Sequence, residues 1–355
     1  MAWFNRAVVA VSFVLLFGQL VACDRVQQAI VERAVDRQLA ESGIDWLAED
    51  AMHVVLCGTG SPLLDRQRAG PCTAVIAGGM MFLVDVGPGS TERSLEYGLP
   101  LDHLEAIVLT HFHSDHIAEV GEAMTQSWIA GRTVPLNVYG PTGVSEVVGG
   151  FLKAYSRDQI YRTAHHSEEF MPMSGARMQS HTLYAGPGKD ILFFDKNGLR
   201  ISAIEVEHAP VAPAYGYRFE YKGRSVVVSG DTDYSENLAR GAKGADLLVH
   251  EVLAKQLIGS LSELLEERGA VRRAKLAKDV LDYHTSPADA VKIARAAEVD
   301  TLVFTHIVPS VPGFIANQIF MNDLGELDGM DVVLGADGMH FTLPASGGIE
   351  RRDLD

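Results

Sequence analysis

The stretch of residues 110–116, with the sequence Thr-His-Phe-His-Ser-Asp-His, constrains this chain more than any other. It follows an apolar Ala-Ile-Val-Leu run that predicts a buried strand. His111 and His113 are two positions apart in extended chain and point the same way, and Asp115 and His116 follow where a helix begins. Side chains at a strand end are rigidly held, so this pattern predicts a metal site and not scattered surface histidines.

The donor atoms of this stretch restrict which metals can bind. Imidazole nitrogens and carboxylate oxygens are ligands of zinc and its first-row neighbours. One ion cannot accept four side chains from so tight a loop, whereas two neighbouring ions can. The stretch therefore predicts two Zn²⁺ ions, and Mn²⁺ or iron is also compatible with a donor set that lacks sulfur.

The H-x-H-x-D-H loop resembles the signature of the metallo-β-lactamase superfamily, and the resemblance extends from about Met52 to His340. It implies an α/β fold, the four-layer αβ/βα sandwich, in which two facing sheets carry helices outside. It also implies the ligands of both ions. They are His111, His113 and His208 for the first ion, Asp115, His116 and His306 for the second, and Asp231 as the bridge.

The expected site residues share a position just beyond a hydrophobic strand. The strand before His306 is predicted to end at Thr305, and the one before His250 at Val249. Asp85 resembles the aspartate of the superfamily's D-x-G-x-G turn, which implies that it braces the metal loop through hydrogen bonds and does not act in catalysis.

The resemblance also implies a mechanism. Two ions about 3.5–4 Å apart would hold a bridging hydroxide as the nucleophile, so no serine or cysteine nucleophile is required. The expected catalytic residues are Asp115, His284 and Glu251. His284 would donate a proton to the leaving group, and Glu251 would orient its imidazole. The alternative for His284 is a helix-capping or exposed histidine.

Within the superfamily, the chain most resembles the branch that contains ribonuclease Z and arylsulfatases. The shared motifs are residues 56–62, Tyr215–Arg218, Ser229–Thr232, His250-Glu251 and His284–Ser286. Only 23 positions (231 − 208) separate His208 from Asp231, which leaves no room there for the long substrate arm of ribonuclease Z. We therefore expect a dinuclear zinc hydrolase of small anionic esters, arylsulfatase-like or phosphodiesterase-like, and not a tRNA-processing enzyme.

Charge supports the same expectation. The formal net charge is −16, and nucleic-acid binding generally needs a basic surface, so nucleic acid is an unexpected partner. Three alternatives stay open: a lactone or carboxyl-ester hydrolase, a ribonuclease Z-like nuclease, and a metal-binding lipoprotein without turnover. The sequence leaves the oligomeric state undetermined.

The first residues are typical of a secretory signal: Arg6 precedes an apolar segment, and Leu-Val-Ala-Cys at 20–23 resembles a bacterial lipobox. We expect a signal peptide at 1–22, a lipid anchor at Cys23, a helical spacer at 23–51 and a hydrolase domain at 52–355. The protein would then be an exported, membrane-anchored lipoprotein that faces the periplasm or the cell exterior.

Two features of the remaining chain are less sharply determined. Cys57 and Cys72 could form a disulfide or remain free thiols. Among the predicted helices, one ends near Tyr155 and one spans about 261–281, and an irregular stretch is predicted at 156–189.

Overall fold

The computed structural model describes residues 26–33, 44–184, 188–322 and 324–354. The chain divides into two units, residues 1–45 and 46–355. In the first unit, residues 26–33 are helical, within the predicted spacer. The predicted signal peptide and Cys23 lie outside the described residues. Among the described residues, no helix is both long enough and apolar enough to span a membrane.

The second unit contains fifteen strands within its described residues. They are β1 (Ala51–Gly58), β2 (Cys72–Ala77), β3 (Met80–Val84), β4 (Leu104–Val108), β5 (Leu136–Gly140), β6 (Met178–Thr182), β7 (Ile191–Lys196), β8 (Leu199–Val206), β9 (Ala214–Tyr221), β10 (Arg224–Val228), β11 (Leu247–Leu253), β12 (Thr301–Val308), β13 (Asp331–Leu334), β14 (Met339–Pro344) and β15 (Glu350–Asp353). One sheet has the order β15-β14-β1-β2-β3-β4-β5-β6, and the other has the order β13-β12-β11-β10-β9-β8-β7.

Nine α-helices of the described residues connect these strands. They are α1 (Ser90–Glu96), α2 (Ser114–Ile117), α3 (Val120–Ala130), α4 (Val144–His166), α5 (Glu236–Gly241), α6 (Lys255–Glu267), α7 (Val271–Asp279), α8 (Pro287–Ala296) and α9 (Gly313–Phe320).

The two sheets face each other across the main core. In β9 the alternate residues Tyr215, Tyr217 and Phe219 point into this core, as the two-residue period of a strand requires. From the opposite sheet, the ring of Phe82 packs edge-on against Phe219 at 6.0 Å. The other face of the second sheet packs against helices, in a second core that includes residues of β8, β11, β12, α8 and α9. This arrangement confirms the predicted four-layer αβ/βα sandwich.

Cys57 and Cys72 form a disulfide, with their Cα atoms 5.0 Å apart. The two cysteines lie on the neighbouring antiparallel strands β1 and β2. Of the two alternatives that the sequence left open, the structure therefore contains the bonded pair.

Two helix predictions were wrong in extent. Helix α4 continues past Tyr155 to His166, and the stretch predicted to be irregular also contains β6. The continuation is held by tertiary contact, since Nε2 of Gln159 donates to the carbonyl oxygen of Ala176 at 3.0 Å. The helical region predicted over 261–281 is two helices, α6 and α7, separated at Gly269, whose φ of 72° no right-handed helix contains.

Candidate metal centre

Seven candidate ligands from separate parts of the chain meet at one edge of the sandwich. All except His113 are buried. They lie in the loop after β4 and in α2 (His111, His113, Asp115, His116), after β8 (His208), after β10 (Asp231) and within β12 (His306). Their donor atoms form two neighbouring clusters, one of His111, His113, His208 and Asp231 and one of Asp115, His116 and His306, each with its atoms within 4.8 Å of one another. Asp231 and His306 form a third such group with His284.

Asp231 lies between these clusters. Its Oδ2 atom is 3.3 Å from Nε2 of His116 and 3.5 Å from Nε2 of His306. In the other cluster it is 3.8 Å from Nε2 of His111 and 4.0 Å from Nε2 of His208. Burial alone would raise the pKa of Asp231, but the imidazoles of His306 and His116 outweigh it and hold this pKa well below its usual value. Asp231 therefore has the position and charge of a bridging ligand.

Within each cluster the donor atoms point at a shared space. Nε2 of His111 and Nδ1 of His113 are 2.9 Å apart. In the second cluster, Oδ2 of Asp115 is 3.4 Å from Nε2 of His306 and 3.5 Å from Nε2 of His116. The structure thus brings together the two ligand sets that the sequence analysis proposed.

The outer hydrogen bonds of the histidines show that these residues fit a metal ion. Nδ1 of His116 donates to Oδ2 of Asp85 at 2.8 Å, and Nδ1 of His208 donates to the carbonyl oxygen of Tyr283 at 2.9 Å. Nδ1 of each ring is thereby occupied, and Nε2 is the atom turned towards the centre, where it could bind a metal ion. Both Nε2 atoms and Oδ1 of Asp231 are buried without a hydrogen-bond partner in the part of the chain that the structure describes, as expected of metal-binding atoms.

Asp85 also holds the start of the histidine loop through hydrogen bonds to Thr110. Its Oδ1 accepts the backbone N–H of Thr110 at 2.8 Å, and its Oδ2 accepts the hydroxyl of Thr110 at 2.7 Å. Because that hydroxyl donates to Asp85, its oxygen is free to accept from Nδ1 of His111, 3.0 Å away. The predicted bracing role of Asp85 is confirmed, whereas Thr110 was missed as part of the site, although it directly precedes the first histidine.

His306 reaches the centre from a β-bulge, and the prediction that its strand ends at Thr305 was wrong. Strand β12 continues to Val308, and its register with β11 shifts so that His306 has no partner residue. The φ of His306 is 44°, a left-handed conformation that re-aims its side chain. The next residue, Ile307, donates its N–H to the carbonyl oxygen of Thr59 at 3.0 Å, which ties the bulge to the other sheet.

The turn that carries Asp231 requires glycine at Gly230. The φ of Gly230 is 62°, and a Cβ atom there would lie 2.8 Å from Cβ of Thr110 and 2.8 Å from the carbonyl oxygen of Tyr215. This close approach joins the Asp231 turn to the start of the histidine loop.

His284 and Glu251 form a buried pair beside the clusters. Nδ1 of His284 is 3.1 Å from Oε1 of Glu251, and the His284 ring stacks on that of His306 at 5.5 Å. Burial would lower the pKa of His284, but the Glu251 carboxylate outweighs it and raises this pKa to about 9. Helix α8 is capped by Ser286, whose hydroxyl accepts the N–H of Asp289, so His284 is neither the cap nor exposed.

The strand predicted before His250 and Glu251 was also too short. Strand β11 runs to Leu253 and therefore includes both His250 and Glu251. The strand fixes Glu251 rigidly, and its Oε1 also accepts the N–H groups of Thr285 at 2.9 Å and Thr232 at 3.2 Å.

Tyr283 is a site residue that the sequence analysis missed. Besides accepting from His208, its ring lies 4.8 Å from that of His208 and 4.7 Å from that of His284. It lines a cavity of about 390 Å³ beside the metal centre; the other lining residues are His113, Ala209, Pro210, Val211, Asp279 and Asp282. The only sequence signal for it was its position next to His284.

Comparison with known proteins gives concordant results. Residues 81–307 match the family described as a beta-lactamase superfamily domain. A protein named ribonuclease Z from Mycobacterium bovis is 41% identical over 266 residues, which cover 74% of this chain and 88% of that protein. The ribonuclease Z of Mycobacterium marinum is 40% identical over 263 residues, 73% of this chain and 88% of that protein. The crystal structure of human tRNase Z, short form, has a TM-score of 0.58 at 18% identity, covers 82% of this chain and 99% of its own, and supports the fold alone.

These relatives overturn three expectations from the sequence. They contradict a small anionic ester as the substrate, because they are named as ribonucleases. They contradict the exclusion of nucleic acid, because net charge is a sum over the chain and does not exclude a local cationic surface. They also contradict the exported, membrane-anchored location, since RNA is made and processed inside the cell. The short spacing between His208 and Asp231 excludes a long substrate arm between these two residues, but it does not exclude an RNA substrate.

Proposed function

Because the chain belongs to the beta-lactamase superfamily, in the group of sequences that includes the mycobacterial ribonucleases Z, we propose that it is a metal-dependent hydrolase that cleaves phosphodiester bonds in RNA. The observation that carries this proposal is the similarity to a ribonuclease Z across most of that protein's length. The matched superfamily domain spans every candidate ligand from His111 to His306.

The metal ions in this proposal are two Zn²⁺. The residues that would hold them are His111, His113 and His208 for one, Asp115, His116 and His306 for the other, and Asp231 for both. Zn²⁺ suits this set because imidazole nitrogens predominate in it and the outer hydrogen bonds hold them in the binding tautomer. When bound, the ions would supply an activated water at neutral pH and positive charge opposite the scissile phosphate.

The chain's own residues would orient the reactants and move the proton. The carboxylate of Asp115, which belongs to the second cluster, would also orient the attacking water. As the bond between phosphorus and the 3′-oxygen breaks, His284 would give its proton to that oxygen, which is a poor leaving group as an alkoxide. Glu251 would keep His284 charged and correctly turned. The products would be a 3′-hydroxyl on one fragment and a 5′-phosphate on the other.

The test is cleavage of a structured RNA by the zinc-loaded protein. A tRNA precursor with a 3′ extension, labelled at its 5′ end, should yield a shorter labelled fragment that ends in a 3′-hydroxyl. A substrate with a 2′-deoxy sugar at the cleaved nucleotide should be cut as well, because water and not the 2′-oxygen attacks. Asp231→Asn is the control for contaminating nuclease. If the metal-loaded protein leaves RNA intact, the proposal fails.

A further inference from the structure

The hairpin of α6 and α7 carries a segment of unusual charge, residues 268–278, which we call the basic segment. It contains five cations and no acid; they are Arg268, Arg272, Arg273, Lys275 and Lys278. We propose that the basic segment is a docking surface for the phosphate backbone of RNA beside the metal centre. This proposal rests on RNA being the substrate class.

The basic segment contrasts with the rest of the chain. The whole sequence has 46 acidic residues and 30 Lys and Arg residues. A run of eleven residues with five cations and no acid therefore differs from the average composition of the chain. All five cations are exposed. A polyanion is the partner that such a cluster complements.

Pairing within the protein does not account for these cations. Lys275 is bound by Asp279, with Nζ 2.7 Å from Oδ1. Across the residues that the structure describes, Arg268, Arg272, Arg273 and Lys278 form no ion pair. Like charges three residues apart, such as Lys275 and Lys278, repel each other and weaken an isolated helix. Apart from the pair of Lys275 with Asp279, the charge of the segment adds only repulsion between neighbouring cations, and a bound phosphate chain would offset that repulsion.

The position of the basic segment connects it to the metal centre. Helix α7 ends at Asp279, and Asp279 lines the same cavity as His113 and Tyr283. Lys278 immediately precedes Asp279, and Arg272 lies about 10 Å from Asp279 along the helix axis, at 1.5 Å per residue. Since a nucleic-acid strand carries one charge per about 3.4 Å of its axis, α7 is long enough to contact several phosphates.

The hairpin is a fixed surface. Ala274 faces α6, where its carbonyl oxygen accepts the hydroxyl of Ser262 at 2.9 Å. Ala277 and Leu281 pack against a small core that includes Leu253 of β11. Because β11 also carries Glu251, the basic segment has a defined position relative to the site, and RNA bound there would be aligned with it.

The test compares two double variants of the zinc-loaded full chain with equal changes in charge. R272E/R273E reverses two unpaired arginines of the basic segment. R200E/K222E reverses two exposed cations that lie far from the candidate metal centre. Arg200 is at the start of β8, whose other end leads to His208, and Lys222 directly follows β9, which is antiparallel to β8. The probe is a fluorescent RNA hairpin with a single-stranded 3′ extension, and its binding is measured by stopped-flow anisotropy before turnover. Hydrolysis of bis(4-nitrophenyl) phosphate serves as a reaction that needs no docking surface.

R272E/R273E should weaken RNA binding about tenfold or more at low salt. A plot of the logarithm of the binding constant against the logarithm of the salt concentration should also become less steep, by a slope of about one to two. R200E/K222E should change RNA binding by no more than about twofold, and both variants should hydrolyse the small diester normally. R272Q/R273Q should show a smaller loss in the same direction and rules out a folding defect caused by the acidic replacements.

Equal RNA binding by the two reversal variants would overturn the docking surface and leave RNA cleavage, if observed, in place. RNA binding through the basic segment without any cleavage would overturn the proposed function and leave the docking surface. Absence of RNA binding by the unaltered protein would overturn the docking surface. Arginine-dependent binding to vesicles of phosphatidylcholine and phosphatidylglycerol, with none to RNA, would assign the segment to a membrane surface and overturn the proposal.

Discussion

Nδ1 of His284 lies 3.1 Å from Oε1 of Glu251, and that oxygen also accepts the N–H of Thr285. Both residues are buried, with exposed fractions of 5% for His284 and 1% for Glu251. A buried imidazole beside a fixed carboxylate stays protonated and keeps one ring orientation, which are the two requirements of a proton donor.

The first prediction concerns this donor. His284→Ala should slow cleavage of the natural 3′-oxygen linkage about 10²–10⁴-fold, because an alkoxide then leaves without a proton. A substrate with sulfur as the bridging 3′ atom should lose far less, since a thiolate leaves unaided. Single-turnover rates on the two linkages provide the comparison, with metal content as the control. Equal losses on both linkages would assign His284 to substrate positioning.

The second prediction concerns the bridging position. Because Oδ2 of Asp231 contacts histidines of both clusters, Asp231→Ala should reduce the bound metal from two ions to one or none and reduce turnover by at least about 10³-fold. Elemental analysis after purification without chelator measures the first effect. The circular dichroism spectrum should stay unchanged. Two ions retained by the variant would contradict the bridging role.

The third prediction concerns Asp85, which does not reach the cluster centre. Asp85→Asn should weaken metal affinity about 10–100-fold, because an uncharged amide holds His116 and Thr110 less firmly. Competition with a chromogenic chelator gives the affinity. Asp102→Asn is the matched control, since Asp102 is half-exposed and its one ion pair among the described residues is with His103, outside the site. An unchanged affinity in Asp85→Asn would show that backbone contacts alone position these residues.

The fourth prediction concerns pH and stability at His340, far from the metal ligands in sequence. Nδ1 of His340 accepts from Arg352 at 3.0 Å, and its Nε2 is 3.0 Å from Nδ1 of His53. Burial and these two neighbours lower the pKa of His340 to about 3. The unfolded chain, with a pKa near 6.5, therefore binds the proton first as the pH falls.

The sign follows from this difference. Below about pH 6.5 the folded state should lose stability as the pH falls, by about 1.4 kcal/mol per unit from this residue, until the folded pKa is reached. His340→Gln removes the titrating group, so its unfolding free energy should fall less steeply between pH 6.5 and 5. Denaturant titrations of both proteins measure the difference. Parallel slopes would show that His340 takes up its proton without unfolding.

Several features of this protein follow from local sequence. The H-x-H-x-D-H loop after an apolar strand predicts a site for two metal ions from its own residues. This is possible because the motif lies within a few residues, where the period of a strand decides the geometry. The sandwich fold and the remaining candidate ligands, His208, Asp231 and His306, were expected only through the resemblance to a family.

Other features depend on contacts between distant segments, and only the tertiary structure decided them. His306 lies in a bulge because β12 pairs with β11, and Tyr283 belongs to the site because its carbonyl oxygen meets His208, 75 residues away. The charge of the chain misled the functional expectation for the same reason. The sequence shows how many charges the protein has and where they lie along the chain, but only the folded chain decides where they lie relative to the candidate site; helix α7, for example, ends at Asp279 in the lining of the cavity that also contains His113.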